Sequence, residues 1–107
     1  MKLVMAIVSG DDSSKVSRAL TKGGFSVTKL ATTGGFLMSG NTTFLIGTDE
    51  EKVPQILEIL GKNSKTRTQM VPTSAAFGVG MFSSMPVEVQ VGGATVFVLD
   101  IEQFIKL

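Results

Sequence analysis

The feature that most constrains this chain is a short segment near its start that is apolar on both alternations. Leu3, Met5 and Ile7 would point to one side of a strand, and the apolar residues between them would point to the other. A strand of this kind has to be covered on both faces. The run is too short for a membrane span or a signal peptide. Residues 2–9 are therefore predicted to form the central strand of a sheet.

The rest of the chain alternates between helix and strand patterns. Apolar residues repeat at helical spacing from Gly10 to Gly23, and a second helical stripe runs from Thr48 or Asp49 to Gly61. Strand patterns occupy residues 25–32, 41–48, 87–91 and 94–99, and Gly92-Gly93 is expected to join the last two as a hairpin. This β-α-β-β-α-β order with one additional strand predicts an α+β, ferredoxin-like fold, in which an antiparallel sheet carries two helices on one face.

Two segments lie outside these patterns. At 107 residues the chain fits one domain, spanning 1–107, with a short Gly-rich loop at about 33–40 and a long loop at about 64–86. The long segment is rich in Met and Phe, unlike a solvated linker. Packing on a neighbouring subunit and binding of a partner both fit this composition.

The apolar content is high for a chain of this length. Apolar residues make up 43% of the sequence and the mean hydropathy is +0.33. A domain this small buries a limited fraction of its surface, so some apolar surface should remain uncovered. We therefore expect an oligomer.

Charge and cysteine content exclude several classes of partner. The formal net charge is +1, which provides no field to attract a polyanion, so no nucleic acid polymer and no membrane surface is expected as a partner. The chain contains no Cys, which rules out disulfides and thiolate metal sites and is compatible with a reducing compartment. The cytoplasm is the simplest location.

The sequence also lacks most of the side chains that catalyse reactions near neutral pH. It has no His, Cys, Tyr or Trp. An enzyme is therefore not expected, and no catalytic residue, metal or cofactor is predicted. Its acidic residues cluster where the two helices should begin, and carboxylates there usually cap backbone amides. The predicted caps are Asp11, Asp12, Asp49, Glu50 and Glu51.

The segment KLATTGGFLMSGNTTF at positions 29–44 carries the best candidates for recognition. The threonines and glycines of residues 32–35 can present hydroxyl and N–H donors to a phosphate. Phe36 offers a ring on which a base can stack, and the Asn41 amide can pair with an adenine edge. A plain turn with an apolar tip explains the same residues, since the segment has no P-loop lysine and no dinucleotide fingerprint. Both interpretations remain open on these residues alone.

Three long motifs resemble the PII-like cyclic-di-AMP receptor family. They are the opening KLVMAIV, the segment KLATTGGFL followed by GNTTF, and VEVQVGGATVFVL at 87–99. The resemblance covers essentially the whole chain. It implies a cytoplasmic, non-enzymatic homotrimer of ferredoxin-like subunits with its ligand, cyclic di-AMP, in clefts between subunits. It also implies a short loop after the second strand and a long loop after the second helix.

The resemblance also implies a set of ligand-binding residues. Thr28 would donate its hydroxyl to a phosphate, Phe36 would lie against a purine, and Asn41 would hydrogen-bond adenine. Phe97 would pack against the other base from the adjacent subunit. The full set is Thr28, Gly35, Phe36, Leu37, Asn41, Gly47 and Phe97.

The chain departs from the family's pattern at three positions. Gly24 and Ser26 stand where Asn and Arg are common, and Lys106 stands where a polar residue is sometimes used. Replacing the arginine removes a charge-assisted contact. The ligand is accordingly expected to bind more weakly than in the usual family pattern, or to differ.

Three functions fit the sequence. The first is a trimeric sensor that binds cyclic di-AMP and signals to an unidentified downstream protein through loop rearrangement. The second is a PII-like receptor for another adenine nucleotide, such as ATP or ADP. The third is a structural interaction module in which the Gly-rich segment is only a turn.

Overall fold

The computed structural model describes residues 1–31, 40–72 and 86–107. Its main sheet has four antiparallel strands in the order β2-β3-β1-β6. These strands are β1 (Lys2–Ser9), β2 (Val27–Ala31), β3 (Asn41–Thr48) and β6 (Ala94–Asp100). The helices are α1 (Ser13–Lys22) and α2 (Val53–Asn63), and β4 (Arg67–Pro72) pairs with β5 (Pro86–Val91) in a separate two-stranded sheet.

Strand β1 lies between β3 and β6, as its two apolar faces predict. Val4, Ala6 and Val8 are buried on the face that carries the helices. Their neighbours across the sheet are Phe44 and Ile46 of β3, which are also fully buried. The central strand therefore forms the middle of the core.

Both helices pack on this one face of the sheet. Val16 and Leu20 of α1 join Ile56 and Leu60 of α2 in a single core cluster with the buried residues of β1 and β3. Their spacing is the i, i+4 spacing that brings side chains to one side of a helix. The α+β, ferredoxin-like arrangement is confirmed.

Helix α2 ends later than the sequence predicts. It continues through Gly61 to Asn63, and two polar side chains donate hydrogen bonds to carbonyl oxygens of its last turns. The Asn63 amide donates to the carbonyl oxygen of Ile59 at 2.7 Å, and the Ser64 hydroxyl donates to that of Leu60. The Ser64 bond satisfies the carbonyl of Leu60, one of the four at this helix end that have no partner within the helix.

The predicted capping role of Asp12 is wrong. A 3₁₀ turn over Gly10–Asp12 precedes α1, and Asp12 makes no side-chain capping bond to the helix. Its carboxylate is buried and paired with Arg67. The cap of the turn is Ser9, whose hydroxyl accepts the backbone N–H of Asp11 at 3.3 Å. Asp49 also lacks a side-chain capping bond.

The predicted terminal hairpin is also wrong, and strand β4 lies within the segment in which a long loop was expected. Residues 87–91 do not pair with 94–99 but form β5, which pairs with β4 from within the expected loop. Gly92 and Gly93 both have positive φ, 86° and 85°, and this conformation redirects the chain from β5 into the main sheet. We call the β4–β5 pair the arm. The expected short loop, apart from Gly40, and residues 73–85 lie outside the described residues.

Within the described parts of the chain, neither helix has the length and apolar character needed to cross a membrane.

Candidate functional site

The face of the main sheet opposite the helices, which we call the open face, carries an apolar surface. Leu30, Phe97 and Leu99 are about half exposed there. Strand register places Thr28 opposite Leu45, Leu45 opposite Met5, and Met5 opposite Phe97. These four side chains form one row across all four strands, since directly paired residues share a face of a sheet.

Four of the predicted ligand residues lie on this open face. They are Thr28, Asn41, Gly47 and Phe97, as their register with the alternate residues of β1 shows. The other three, Gly35, Phe36 and Leu37, lie outside the described residues. The four described candidates therefore share one face of the sheet, although they lie on three different strands.

Two of the four meet in a cleft at one end of the open face. The C-terminal segment after β6 crosses this end and forms one wall of an open cavity of about 430 Å³, which we call the tail cleft. Thr28 and Gly47 line it from the sheet, and Ser26 lines its edge. The other lining residues are Leu3, Val27, Leu45, Ile101, Phe104, Ile105 and Lys106.

The tail cleft is suited to an anion. Lys106 is the one charged residue among the residues that line it, and no carboxylate is present there. Thr28 adds a hydroxyl that can donate to a phosphate oxygen. Apolar side chains make up most of the remaining wall, which suits the flat face of a base.

The ring of Phe104 explains why position 47 is a glycine. A Cβ atom built on Gly47 would lie 2.8 Å from Cε2 and 3.1 Å from Cδ2 of Phe104. Real Cβ atoms do not approach other heavy atoms that closely, so the ring or the strand would have to move. The missing side chain lets the C-terminal segment lie directly on β3.

The start of the C-terminal segment is held to the first strand. The backbone N–H of Ile101 donates to the carbonyl oxygen of Met1 at 3.2 Å. The Lys2 ammonium pairs with the Asp100 carboxylate, and this hydrogen bond raises the pKa of Lys2 and lowers that of Asp100. The wall of the tail cleft therefore begins at a fixed point beside β1.

Asn41 lies in a different cavity, at the other end of β3. This cavity of about 510 Å³ is between the main sheet and the base of the arm, and we call it the arm cavity. Its polar lining residues are Ser9, Asp11, Asn41, Thr66, Gln90 and Thr95. Asn41 and Gly47 are six residues apart on one strand, or roughly 20 Å. Within one chain the described candidates therefore do not converge on a single pocket.

Sequence reasoning missed Phe104, which forms part of the tail cleft. No local pattern marks it, because the residues after β6 form no regular element and their position depends on a contact with distant Gly47. Ser26 and Lys106 were noted only as departures from a family pattern, yet both line the cleft. No group of acidic residues in the described part of the chain could hold a metal ion.

Comparison with known proteins gives a consistent result over the whole length. A family model described as cyclic-di-AMP receptor matches residues 1–107. A crystal structure of a functionally unknown protein from Pediococcus pentosaceus is 46% identical, with a TM-score of 0.75, over 99% of this chain and 96% of that one.

A more distant similarity concerns the fold alone. The crystal structure of PII from Arabidopsis thaliana, bound to citrate, is 20% identical and has a TM-score of 0.63, over 99% of this chain and 79% of that one. The chain therefore has a PII-like fold.

Proposed function

The chain belongs to the cyclic-di-AMP receptor family, and from this premise we propose that it is a non-enzymatic signalling protein that binds cyclic di-AMP between the subunits of a homotrimer. Family membership and the PII-like fold support a nucleotide-binding signalling role. The observation that carries the more specific proposal is the tail cleft, where the Thr28 hydroxyl and the Lys106 side chain line a pocket without carboxylates.

The proposed contacts divide between phosphate and base. Thr28 donates its hydroxyl to a phosphate oxygen beside Gly47. Phe36 lies against one purine, flanked by Gly35 and Leu37. Asn41 hydrogen-bonds adenine, because its amide offers a donor and an acceptor side by side. Phe97 of an adjacent subunit packs against the second base.

The proposed position between subunits is supported by the spacing of the candidates. Asn41 and Gly47 line separate cavities in one chain, so a ligand that contacts both needs a continuous surface between them. The apolar open face, with Phe97 51% exposed, is the surface that neighbouring subunits would cover. In a homotrimer packed through this face, the open face of one subunit and the surface of its neighbour would form clefts between them.

The charge of the tail cleft favours cyclic di-AMP over ATP or ADP. A single cationic side chain lines it. Cyclic di-AMP carries one negative charge on each of two phosphodiesters, whereas ATP and ADP carry more, and unpaired charge in a partly buried site is costly. ATP and ADP remain the natural competitors to test.

In the proposed signalling step, the bound ligand changes the segments at 33–40 and 64–86, and a downstream protein binds the altered surface. We place the trimer in the cytoplasm, which is compatible with the absence of Cys.

Isothermal titration calorimetry of the purified protein with cyclic di-AMP tests the ligand. Heat with saturation is expected for cyclic di-AMP, and much weaker binding is expected for cyclic di-GMP, ATP and ADP. Asn41→Ala and Phe36→Ala should each weaken binding. Absence of heat at high micromolar cyclic di-AMP would refute the ligand assignment.

A further inference from the structure

A salt bridge joins the base of the arm to the turn that precedes α1. Nη2 of Arg67 lies 2.9 Å from Oδ1 of Asp12, and Nη1 lies 3.3 Å from Oδ2. The Asp12 side chain is only 7% exposed, whereas that of Arg67 is 44% exposed. Such a two-pronged pair fixes both distance and orientation between its partners. The two residues are 55 positions apart, so the contact joins separate parts of the fold.

The chain around Arg67 is built to hold this contact. Nη1 of Arg67 also donates to the carbonyl oxygen of Lys65 at 3.1 Å. A Cβ atom on Gly92 would lie 2.7 Å from the same nitrogen, so a side chain there would collide with the guanidinium group. The backbone N–H of Gly93 donates to the carbonyl oxygen of Ser64. The start of β4 and the end of β5 are therefore held together at the base of the arm.

The other end of the turn contacts the residue that precedes β3. The backbone N–H of Gly10 donates to the carbonyl oxygen of Gly40 at 2.8 Å. A Cβ atom on Gly10 would lie 2.8 Å from that same oxygen, so only glycine allows this approach. The Ser13 hydroxyl donates to the carbonyl oxygen of Gly10 at 3.1 Å and braces the turn against the helix.

The Gly10–Asp12 turn thus touches both segments that the proposed function requires to change. Gly40 precedes Asn41, a proposed ligand residue, and Arg67 begins the arm. The arm cavity lies between them and is lined by residues of the turn, of β3 and of the arm, including Asp11, Asn41 and Gln90. Contacts that bridge two sites in this way can carry a coupling free energy between them.

We propose that the Gly10–Asp12 turn couples nucleotide binding at Asn41 to the arm, with the Asp12–Arg67 pair as the positioning contact that transmits it. This inference rests on the proposed function, because it takes Asn41 as a ligand contact. Ligand binding fixes Asn41 and, through it, the Gly40 carbonyl. The hydrogen bond to Gly10 passes this restraint to the turn, and Asp12 passes it to Arg67.

Hydrogen exchange of the arm, measured with and without cyclic di-AMP, tests the coupling. In the wild type we expect the ligand to slow exchange in peptides covering 64–72 and 86–93 by about fivefold or more. Arg67→Gln alone would leave a buried carboxylate unpaired and could unfold the turn. The informative variant is therefore Asp12→Asn/Arg67→Gln, which replaces both charged groups by neutral amides and leaves no unpaired charge buried.

The double variant should still bind cyclic di-AMP, with affinity lowered by no more than the lost coupling, on the order of tenfold. Its arm peptides should exchange at the same rate with and without ligand. Lys62→Gln is the control, because it breaks the exposed 3.1 Å pair with Glu58 on α2 and should leave the response of the arm intact. An arm that responds to the ligand in the double variant as it does in the wild type would overturn the inference.

A ligand-free measurement separates this inference from the proposed function. Without ligand, the double variant should exchange faster than the Lys62→Gln control in a peptide covering 40–48, because the arm no longer restrains the turn. If wild-type protein gives no heat with cyclic di-AMP, the proposed ligand is wrong. Unchanged exchange at 40–48 would instead show that the turn does not couple the two segments.

Discussion

At Gly47 the ring of Phe104 occupies the space where a side chain would be. Gly47 is part of a regular strand, so its conformational freedom does not account for its presence. The close approach of Phe104 does, since the ring lies where a Cβ atom would be. The absence of a side chain at position 47 therefore allows the C-terminal segment to lie against β3 beside the tail cleft.

We expect Gly47→Ala to weaken cyclic di-AMP binding while leaving the fold nearly unchanged. Phe104 is 51% exposed, so its ring can move away and take Lys106 with it. Loss of that cation should lower affinity roughly tenfold, which corresponds to about 1.4 kcal/mol. Calorimetric titration and thermal unfolding of the same samples measure the two effects.

Gly61→Ala is the matched control for this prediction. Gly61 lies inside α2, and a Cβ atom there would meet nothing within 4 Å. Alanine should stabilise the helix by about 0.4–1 kcal/mol and leave ligand affinity unchanged. Equal affinity of Gly47→Ala and wild-type protein would show that the Phe104 contact has no bearing on the ligand.

Ser26 gives the second prediction at this scale. It lines the tail cleft, and the resemblance found in the sequence implies that an arginine is common at this position. Ser26→Arg should add a charge-assisted contact worth about 1.5–3 kcal/mol, which raises cyclic di-AMP affinity about 10- to 100-fold. Ser14→Arg, on the exposed side of α1, adds the same charge elsewhere and should have little effect. Equal gains in both variants would point to net charge instead of the cleft.

At the scale of the elements, α2 and the C-terminal segment differ in how deeply they bury the same type of side chain. Ile56 is fully buried in the core, whereas Ile105, in the C-terminal segment, is 65% exposed. Ile56→Val should lower the free energy of unfolding by about 0.5–1.5 kcal/mol, because it removes a buried methylene group. Ile105→Val is the identical chemical change and should stay within about 0.5 kcal/mol. Denaturant unfolding distinguishes them, and equal losses would contradict the described core.

Most elements could be predicted because their burial pattern is local. The double-sided apolar run of β1, the alternation of β3 and the helical stripe of α2 each follow from side chains within one segment. The arm could not be predicted in this way. Strand β4 pairs with β5, its partner farther along the chain, and Gly92-Gly93 gave a stronger local signal for a hairpin that does not form.

The candidate site depended less on local patterns. Thr28 and Gly47 became candidates through the family resemblance, and the structure brings them into one cleft on the open face, while their role in binding stays a prediction. Phe104 and the Asp12–Arg67 pair depend on contacts between residues far apart in sequence. Asp12 shows the limit most clearly, since a carboxylate at a helix start reads as a cap unless its distant arginine is known.

At the scale of the whole molecule, the described residues bury one face of the main sheet under the helices and leave much of the open face exposed. The helices bury Val4, Ala6 and Val8, while Phe97 and Leu99 on the open face stay about half exposed. Exposed apolar area of this kind is unfavourable in water and is commonly covered by association. The high apolar content of the sequence and the open face both favour the proposed association of subunits.

Phe97→Asp should break this assembly. The substitution places a charge at the β6 end of the row formed with Met5, Leu45 and Thr28, and burying an unpaired carboxylate against a neighbouring subunit is strongly unfavourable. Light scattering coupled to size-exclusion chromatography should show a trimer for the wild type and a single chain for the variant. Binding of cyclic di-AMP should be lost together with the trimer, since the proposed clefts need two subunits.

Val98→Asp provides a closely matched comparison. Val98 is the next residue of β6 and is 45% exposed, close to the 51% of Phe97, but it points to the opposite face of the sheet. The same charge there should leave the trimer and its ligand affinity intact. If both variants dissociate, the edge strand as a whole supports assembly. If neither does, the open face is not the contact between subunits, and clefts that join Asn41 and Gly47, which line different cavities in one chain, would have to form at another surface.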